Sequence, residues 1–470
     1  MIKFGTGGWR AIIGEEFIAS NIRLLSQAIA DDLVAQEQEK KEIVIGFDRR
    51  FLSDRAAKWA SEVFAANGIV VHFIDKISPT PLTMFAVKKM NTFYGIAVTA
   101  SHNPAEYNGI KVFTKGGRDA EASVTQRLED IANEIKVEEV KTVDFQDGVN
   151  KGLINIINPF NDYIDTILSM IDSEAIKNKG LKILLDPMFG VSKTSLQTIL
   201  ITTRCDLDII NDRHDALFGG RLPSPSNDTL ARLKSMVAEK GYDLGIATDG
   251  DADRLGVIDD KGNFIHPNEI MVLLYYYLHK YKGWRGPVVR NLATTHLLDR
   301  IAESFDEKCY EVPVGFKHIS SKMEETDAVI GGESSGGLTI RGHIKGKDGI
   351  FAATLLVEMI SKTGRSISEM LNDIYDKFGN FVMIEGNYSF SKEIKDRLMK
   401  VLFEERLLPD FGCDISEVKY FDGVKVYFKN GGWTVARFSG TEPLLRIFTE
   451  MSTEKEAKAI SNKFKQFLKI

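Results

Sequence analysis

The sequence predicts an α/β protein: three similar units of mixed sheet and helix, then a smaller α+β unit at the C-terminus. Three observations predict it. The chain is 470 residues long, which at roughly 100–200 residues per domain suggests about three domains, with two or four allowed. Short β-rich runs alternate with amphipathic helical stretches almost from end to end, the pattern of helices packed on a sheet. After Gly379 that order changes to a more antiparallel one.

Composition narrows the class. Hydrophobic residues make up 43% and charged residues 27% of the chain, and 60 Lys+Arg against 66 Asp+Glu leave a net charge of −6. These are globular proportions, enough to bury a full core. No apolar stretch approaches the roughly 18 residues of a spanning helix; Ile270 to Leu278 is among the longest and holds three tyrosines. The opening MIKFGTGGWR lacks the charged and apolar regions of a secretory signal. Cys205, Cys309 and Cys413 are too scattered for a disulfide framework or a metal knuckle. No basic tract points to nucleic acid or a membrane surface. The expectation is a cytoplasmic protein with small-molecule partners.

The elements follow in order. EIVIGFD (42–48) reads as a strand, Ser53 and Asp54 as caps of a helix that Gly68 ends, and IVVHFI (69–74) as the next strand. PLTMFAVKKM reads as a helix and FYGIAVT (93–99) as a strand. The pattern restarts near residue 158 with strands LKILLD (181–186), LDIIN (207–211) and YDLGIAT (242–248). A third restart follows DDKGN (259–263): PNEIMVLLYYYLHKY as a helix, then PVVRNL, CYEVPV and DAVIGG as strands. VMIEGNYSF, a long helix, VKVYF, WTVARF, LLRIFTEM and a terminal Lys-rich helix make the last unit.

Four strands end in loops of small and functional residues, one per unit, and ligand crevices of open α/β sheets lie beyond such strand ends. The first loop is Thr99-Ala100-Ser101-His102-Asn103-Pro104. A serine beside a histidine offers a nucleophile, although for this loop taken alone a solvated turn capped by Asn103-Pro104 is the better explanation. No G-x-S-x-G elbow is present, against an esterase-type hydrolase. The second is Asp249-Gly250-Asp251-Ala252-Asp253-Arg254. Three carboxylates in one tight loop repel unless a cation joins them, and hard oxygen donors suit Mg²⁺ or Ca²⁺. An EF-hand would need glycine where Arg254 stands and a helix where a strand precedes, so a Mg²⁺ site is the better reading. Arg254 is placed to meet an anion such as phosphate.

The third loop is Gly331-Gly332-Glu333-Ser334-Ser335-Gly336-Gly337. Glu333 and the serines can bond hydroxyl groups, and the lack of a terminal Lys-Ser/Thr pair disfavours a nucleotide cradle; a flexible turn is the plain alternative. The fourth is Arg437-Phe438-Ser439-Gly440-Thr441-Glu442-Pro443, with Arg446 just beyond. Arginines, hydroxyls and a glycine turn make a phosphate nest, or else a hairpin turn with a surface arginine. Arg10, Lys111, Arg254, Lys317, Arg437 and Arg446 supply local positive charge in a net-acidic chain. Together the loops suit phosphoryl transfer to or from a polyhydroxy compound.

With FGTGGWR, TASHNP, YNGIK, DGDADR, GGESSG and RFSGTEP in that order, the whole chain resembles the α-D-phosphohexomutase superfamily of phosphoglucomutases, phosphomannomutases and phosphoglucosamine mutases. The resemblance implies four domains around a central cleft: 1–155 with the serine loop, 156–260 with the metal loop, 261–378 with the sugar loop and 379–470 with the phosphate loop. It implies that Ser101 carries the phosphoryl group and that Asp249, Asp251 and Asp253, with an oxygen of phosphoserine 101, hold one Mg²⁺. Glu333 and Ser335 would bond sugar hydroxyls. Arg437, Ser439, Gly440 and Thr441, with Arg446, would hold the non-transferring phosphate. Arg10, His102 and Lys111 match positions near the phosphoserine, with acid and base roles undivided among them. Gly315-Phe316-Lys317-His318 sits where the family has a loop that helps set sugar specificity.

The implied reaction interconverts hexose 1-phosphate and hexose 6-phosphate through a hexose 1,6-bisphosphate, which also serves as activator. Glucosamine mutases and many dual-specificity enzymes carry Gln or Met, and His, where this chain has Ser334 and Gly337. That difference and GFKH favour glucose phosphates, with mannose phosphates next. A Mg²⁺-dependent phosphatase or a catalytically silent sugar-phosphate sensor would explain fewer of the four loops.

Overall fold

A computed structural model describes residues 2–5, 8–36, 40–439 and 444–470. The chain divides into two compact units, Met1–Ile270 with Ile330–Ser368, and Met271–Val329 with Glu369–Ile470.

In the first unit, the run EIVIGF (Glu42–Phe47) is apolar almost throughout and buried over five of its six residues. That is the signature of a strand covered on both faces. It lies parallel to Val70–Ile74 on one side and to Tyr94–Val98 on the other. Beyond Tyr94–Val98 the sheet turns antiparallel, through Tyr107–Thr114 to Gly8–Ile12 and Phe4–Gly5; Ile154–Ile157 closes the opposite edge. Helices Ala19–Ala35, Ser53–Ala66 and Ala122–Glu134 join these strands in one core that includes Trp9, Ile45, Phe64 and Tyr94. The expected cap at the second of these helices is not there. Ser53 is its first helical residue, no side chain caps the end, and the Ser53 hydroxyl donates to Asp48 at 2.7 Å. Asp54 stays in the first turn, where the helix dipole favours a carboxylate.

A second sheet in this unit runs Asp206–Ile209, Lys182–Asp186 and Leu244–Thr248 in parallel, then turns antiparallel to Leu255–Ile258 and Phe264–Ile265. The aspartate-rich segment 249–254 is therefore the loop of a tight antiparallel connection, anchored by fully buried strands on both sides. A hairpin of Ile330–Gly332 with Leu338–Ile340 carries the segment 333–337. Helix Gly349–Thr363 follows it, with the Asp348 carboxylate accepting from the N–H groups of Ile350 and Phe351.

The second unit holds a parallel pair, Val288–Asn291 with Cys309–Val312. It also holds an antiparallel five-stranded sheet in the order Val382–Ser389, Leu444–Met451, Trp433–Phe438, Val424–Phe428, Ile415–Lys419. Trp433, Val435 and Phe448 pack with Leu292 and Ala293, so sheet and pair share apolar contacts. Beside them lies a buried polar network. Arg290 donates to Asp299 and Glu311, and Lys425 donates to Glu311 and to the Leu292 carbonyl. The fold is thus mixed α/β with an antiparallel α+β C-terminal part, as the order of elements predicts. No helix among the described residues is long and apolar enough to cross a membrane.

Candidate active site

Strand Tyr94–Val98 ends where the serine loop begins, and the next strand, Tyr107–Thr114, returns antiparallel beside it. This pairing sets Lys111 opposite Ala97, and the following pairing sets Arg10 opposite Gly109. Two cationic side chains thus flank the serine loop by register alone. Ser101 is only 1% exposed and has a φ of 53°, a left-handed conformation that costs a residue with a β-carbon. Its N–H donates to the Thr99 hydroxyl at 2.9 Å, and its own hydroxyl donates to Asp249 Oδ2 at 2.8 Å. His102 Nδ1 lies 3.3 Å from the same hydroxyl. Burial, then the charges of Arg254 and Arg10, hold His102 far below the ordinary histidine range, so its ring is neutral. Arg10 donates to Asn103 in the same loop at 2.9 Å.

Asp249, Asp251 and Asp253 are fully buried, with carboxylate oxygens within 4.8 Å of one another. Among the described residues no other group of carboxylates, histidines or cysteines gathers in this way. Burial and the neighbouring Asp251 and Asp253 drive Asp249 well above the carboxylate range. Burial would raise Asp251 and Asp253 too, but lysines outweigh it. Lys111 reaches Asp251 at 2.6 Å and Asp253 at 2.7 Å, and Lys347 reaches Asp253 at 2.9 Å. Thr80 donates to Asp251 at 2.6 Å. Even so, Asp251 Oδ1 and Asp253 Oδ1 are buried without a hydrogen-bond partner. Buried acceptors normally have partners, and an all-oxygen set with orphaned lone pairs fits a hard divalent cation. These residues could hold such an ion.

The third loop rests on the second. Leu255 N–H donates to the Gly336 carbonyl, and Arg254 and Gly337 form an antiparallel bridge. Glu333 is buried and Ser335 exposed, its hydroxyl 3.5 Å from the Glu333 carboxylate. The first unit therefore brings together Ser101, His102, Arg10, Lys111, the three aspartates, Arg254, Glu333 and Ser335.

The remaining residues belong to the second unit. Arg437 and Arg446 face each other across paired strands, and Ser439 follows the first of these strands. Like charges directly opposite destabilise a sheet unless something compensates, and Asp422 bonds Arg437 at 3.1 Å. The same carboxylate accepts from Val314 N–H at 2.7 Å, just before the GFKH segment. That segment is not a loop: Gly315 precedes the helix Phe316–Thr326, so Lys317 and His318 stand in its first turn. Gly440 and Thr441 lie outside the described residues.

Sequence reading missed Lys347, Thr80 and Asp422. Lys347 left the clearest trace, a lysine in KGKDG just ahead of the N-cap Asp348.

Comparison with known proteins gives four matches along the chain, all described as phosphoglucomutase/phosphomannomutase. They are alpha/beta/alpha domain I over residues 1–139, domain II over 161–262, domain III over 266–378 and the C-terminal domain over 393–466. A phosphoglucomutase/phosphomannomutase of Thermococcus kodakarensis is 31% identical, over 97% of this chain and 96% of its own length. A phosphoglucosamine/phosphogalactosamine mutase of Sulfurisphaera tokodaii is 28% identical over 99% and 98%. The crystal structure of a Thermus thermophilus protein, provisionally named a phosphomannomutase, superposes with a TM-score of 0.86. It is 27% identical and covers 100% of this chain and 99% of that one.

Proposed function

Since the chain belongs to the phosphoglucomutase/phosphomannomutase family and is a phosphohexomutase, we propose that it interconverts glucose 1-phosphate and glucose 6-phosphate through phosphoserine 101. The observation that carries this reading is the Ser101 hydroxyl, buried and 2.8 Å from Asp249, within the aspartate cluster.

In the proposed cycle the sugar's free hydroxyl attacks phosphorus, the bond from phosphorus to Ser101 Oγ breaks, and the hydroxyl proton passes to a nearby base. The resulting bisphosphate turns over and returns its other phosphoryl group to Ser101. Mg²⁺ is the proposed ion of the aspartate set, and when bound it would neutralise charge on the serine-borne phosphoryl oxygens. Lys111 and Arg10 lie beside the serine loop and carry charge of the right sign for those oxygens. Glu333 and Ser335 take the sugar hydroxyls, and Arg437, Ser439 and Arg446 the phosphate that is not in transfer. Hexose 1,6-bisphosphate would prime the serine.

The curated relatives bear glucosamine as well as glucose and mannose names. The choice of glucose is supported at Gly337. A β-carbon there would run into Lys347 Cδ, so the histidine that glucosamine mutases and many dual-specificity enzymes carry would displace the lysine on Asp253. Dual specificity for glucose and mannose phosphates is the second reading, because the contacts of Glu333 and Ser335 fall on hydroxyls the two sugars share.

Phosphorus NMR tests the proposal. Purified protein with Mg²⁺ and a trace of glucose 1,6-bisphosphate is offered glucose, mannose or glucosamine 1-phosphate, with Ser101→Ala beside each. Conversion to the 6-phosphate, fastest for glucose and abolished in Ser101→Ala, is expected. Release of inorganic phosphate that Ser101→Ala leaves unchanged would overturn the reading. Arg437→Ala should raise KM for the sugar phosphates; an unchanged KM removes Arg437 from the phosphate site.

A further inference from the structure

Arg50 is 3% exposed, and its guanidinium is one of the most heavily used groups in the first unit. Nη2 donates to the carbonyls of Ser101 at 2.7 Å and Asn103 at 2.6 Å. Nη1 donates to the carbonyls of Pro104 at 2.7 Å and Tyr107 at 2.9 Å. Three carbonyls of the serine loop and that of Tyr107, which opens the next strand, thus converge on one planar fork. The guanidinium is itself fixed. Asp48 approaches its Nε at 3.5 Å, and that carboxylate accepts from the Arg50 N–H and the Ser53 hydroxyl. Phe218 covers the open face, its ring centroid 4.8 Å from the guanidinium carbon.

The loop so gathered is the one in which Ser101 holds a left-handed backbone. Its N–H side is satisfied by Thr99 and its carbonyl side by Arg50, which leaves the hydroxyl directed at Asp249. A backbone strained in this way persists only when its surroundings over-determine it. From this geometry we propose that Arg50 is the positioning residue of the nucleophile: it draws the loop carbonyls together and thereby aims Ser101 Oγ, without touching substrate. The inference rests on the reading of Ser101 as phosphoryl carrier. Lysine cannot replace arginine here, because a point charge with three rotatable donors does not match four acceptors fixed in the plane of a fork.

The test compares Arg50→Lys, Arg50→Ala and Ser101→Ala with the parent. The readouts are steady-state kcat and KM for glucose 1-phosphate, serine phosphorylation by glucose 1,6-bisphosphate followed by intact mass, and thermal unfolding. A displacement near 1 Å at a reacting atom costs about 100-fold in rate. Arg50→Lys should therefore stay folded, lose about 100-fold in kcat and in the rate of serine phosphorylation, and keep KM within about three-fold. Arg50→Ala should lose more and regain part of its rate in low millimolar guanidinium, which can occupy the vacated carbonyl cluster. Should Arg50→Ala not fold, Arg50→Lys decides alone. An Arg50→Lys enzyme with parental kcat, or one whose loss appears only in KM or tracks its unfolded fraction, overturns the proposal. An active Ser101→Ala would instead remove the nucleophile reading beneath it.

Discussion

Gly250→Ala probes how tightly the metal loop and the serine loop are fitted together. Gly250 stands between Asp249 and Asp251, and its φ lies outside the region that favours glycine, so alanine strains no torsion there. What alanine meets is space already taken: a β-carbon would sit 2.7 Å from the Ser101 carbonyl oxygen and 3.4 Å from Pro223 Cγ. A carbon approaches a carbonyl oxygen to about 3.3 Å, so the loops must part by about 0.6 Å. The Ser101 carbonyl is held by Arg50 and Gly250 N–H by the Pro223 carbonyl, so neither side yields freely. Overpacking of this kind costs about 1–3 kcal/mol. Scaled from the roughly 100-fold cost of a 1 Å misplacement, the same displacement lowers kcat by about 15-fold. The assay pairs thermal unfolding with kcat and KM for glucose 1-phosphate. A variant that keeps parental kcat would show that the two loops are not in working contact, and the 2.7 Å approach would carry no functional weight.

Two further outcomes follow from the same geometry. Mg²⁺ at about 100 times its Kd should stabilise the protein by about 2.7 kcal/mol if only the folded state binds it. EDTA and Asp251→Asn should each abolish that gain, and a melting curve indifferent to Mg²⁺ would refute the assignment of the orphaned aspartate oxygens. His266 precedes helix Pro267–Lys280, where its Nδ1 accepts from Asn268 N–H at 3.2 Å, and burial lowers its pKa to about 4. A free histidine titrates near 6.5, so the unfolded chain binds the extra proton across that window and stability falls as pH drops from about 6.5 to about 4. The loss at pH 5 is about 1–2 kcal/mol after allowance for the ring's residual exposure. His266→Asn keeps an acceptor at the helix start and should flatten that slope; an unchanged slope in denaturant titrations assigns it to other groups.

The residues readable from sequence and those not readable differ in one physical respect. Ser101, the three aspartates and Glu333 stand in loops whose composition is odd for the strands they follow, Arg437 ends a strand just ahead of such a loop, and local chemistry betrays them. Lys347, Thr80 and Arg50 act on partners far along the chain: Thr80 bonds Asp251 across 171 positions, and Arg50 bonds Ser101 across 51. In its own neighbourhood Arg50 is one of two arginines before a helix, and Lys347 one of two lysines in a turn. Only tertiary packing brings them to the site, from the first turn of helix Thr80–Met90 and from two segments outside any helix or strand. The missing cap at Ser53 has the same origin. A hydroxyl placed at a helix start by local rules is more useful on Asp48, because Asp48 steadies Arg50 and Arg50 steadies Ser101. The local rule loses to a buried polar network, since a buried carboxylate gains more from a second donor on Asp48 Oδ1 than a helix end open to water gains from a cap. By this reasoning the departures from local expectation around Asp48 trace the support of the nucleophile, and substitutions there should act on kcat before they act on binding.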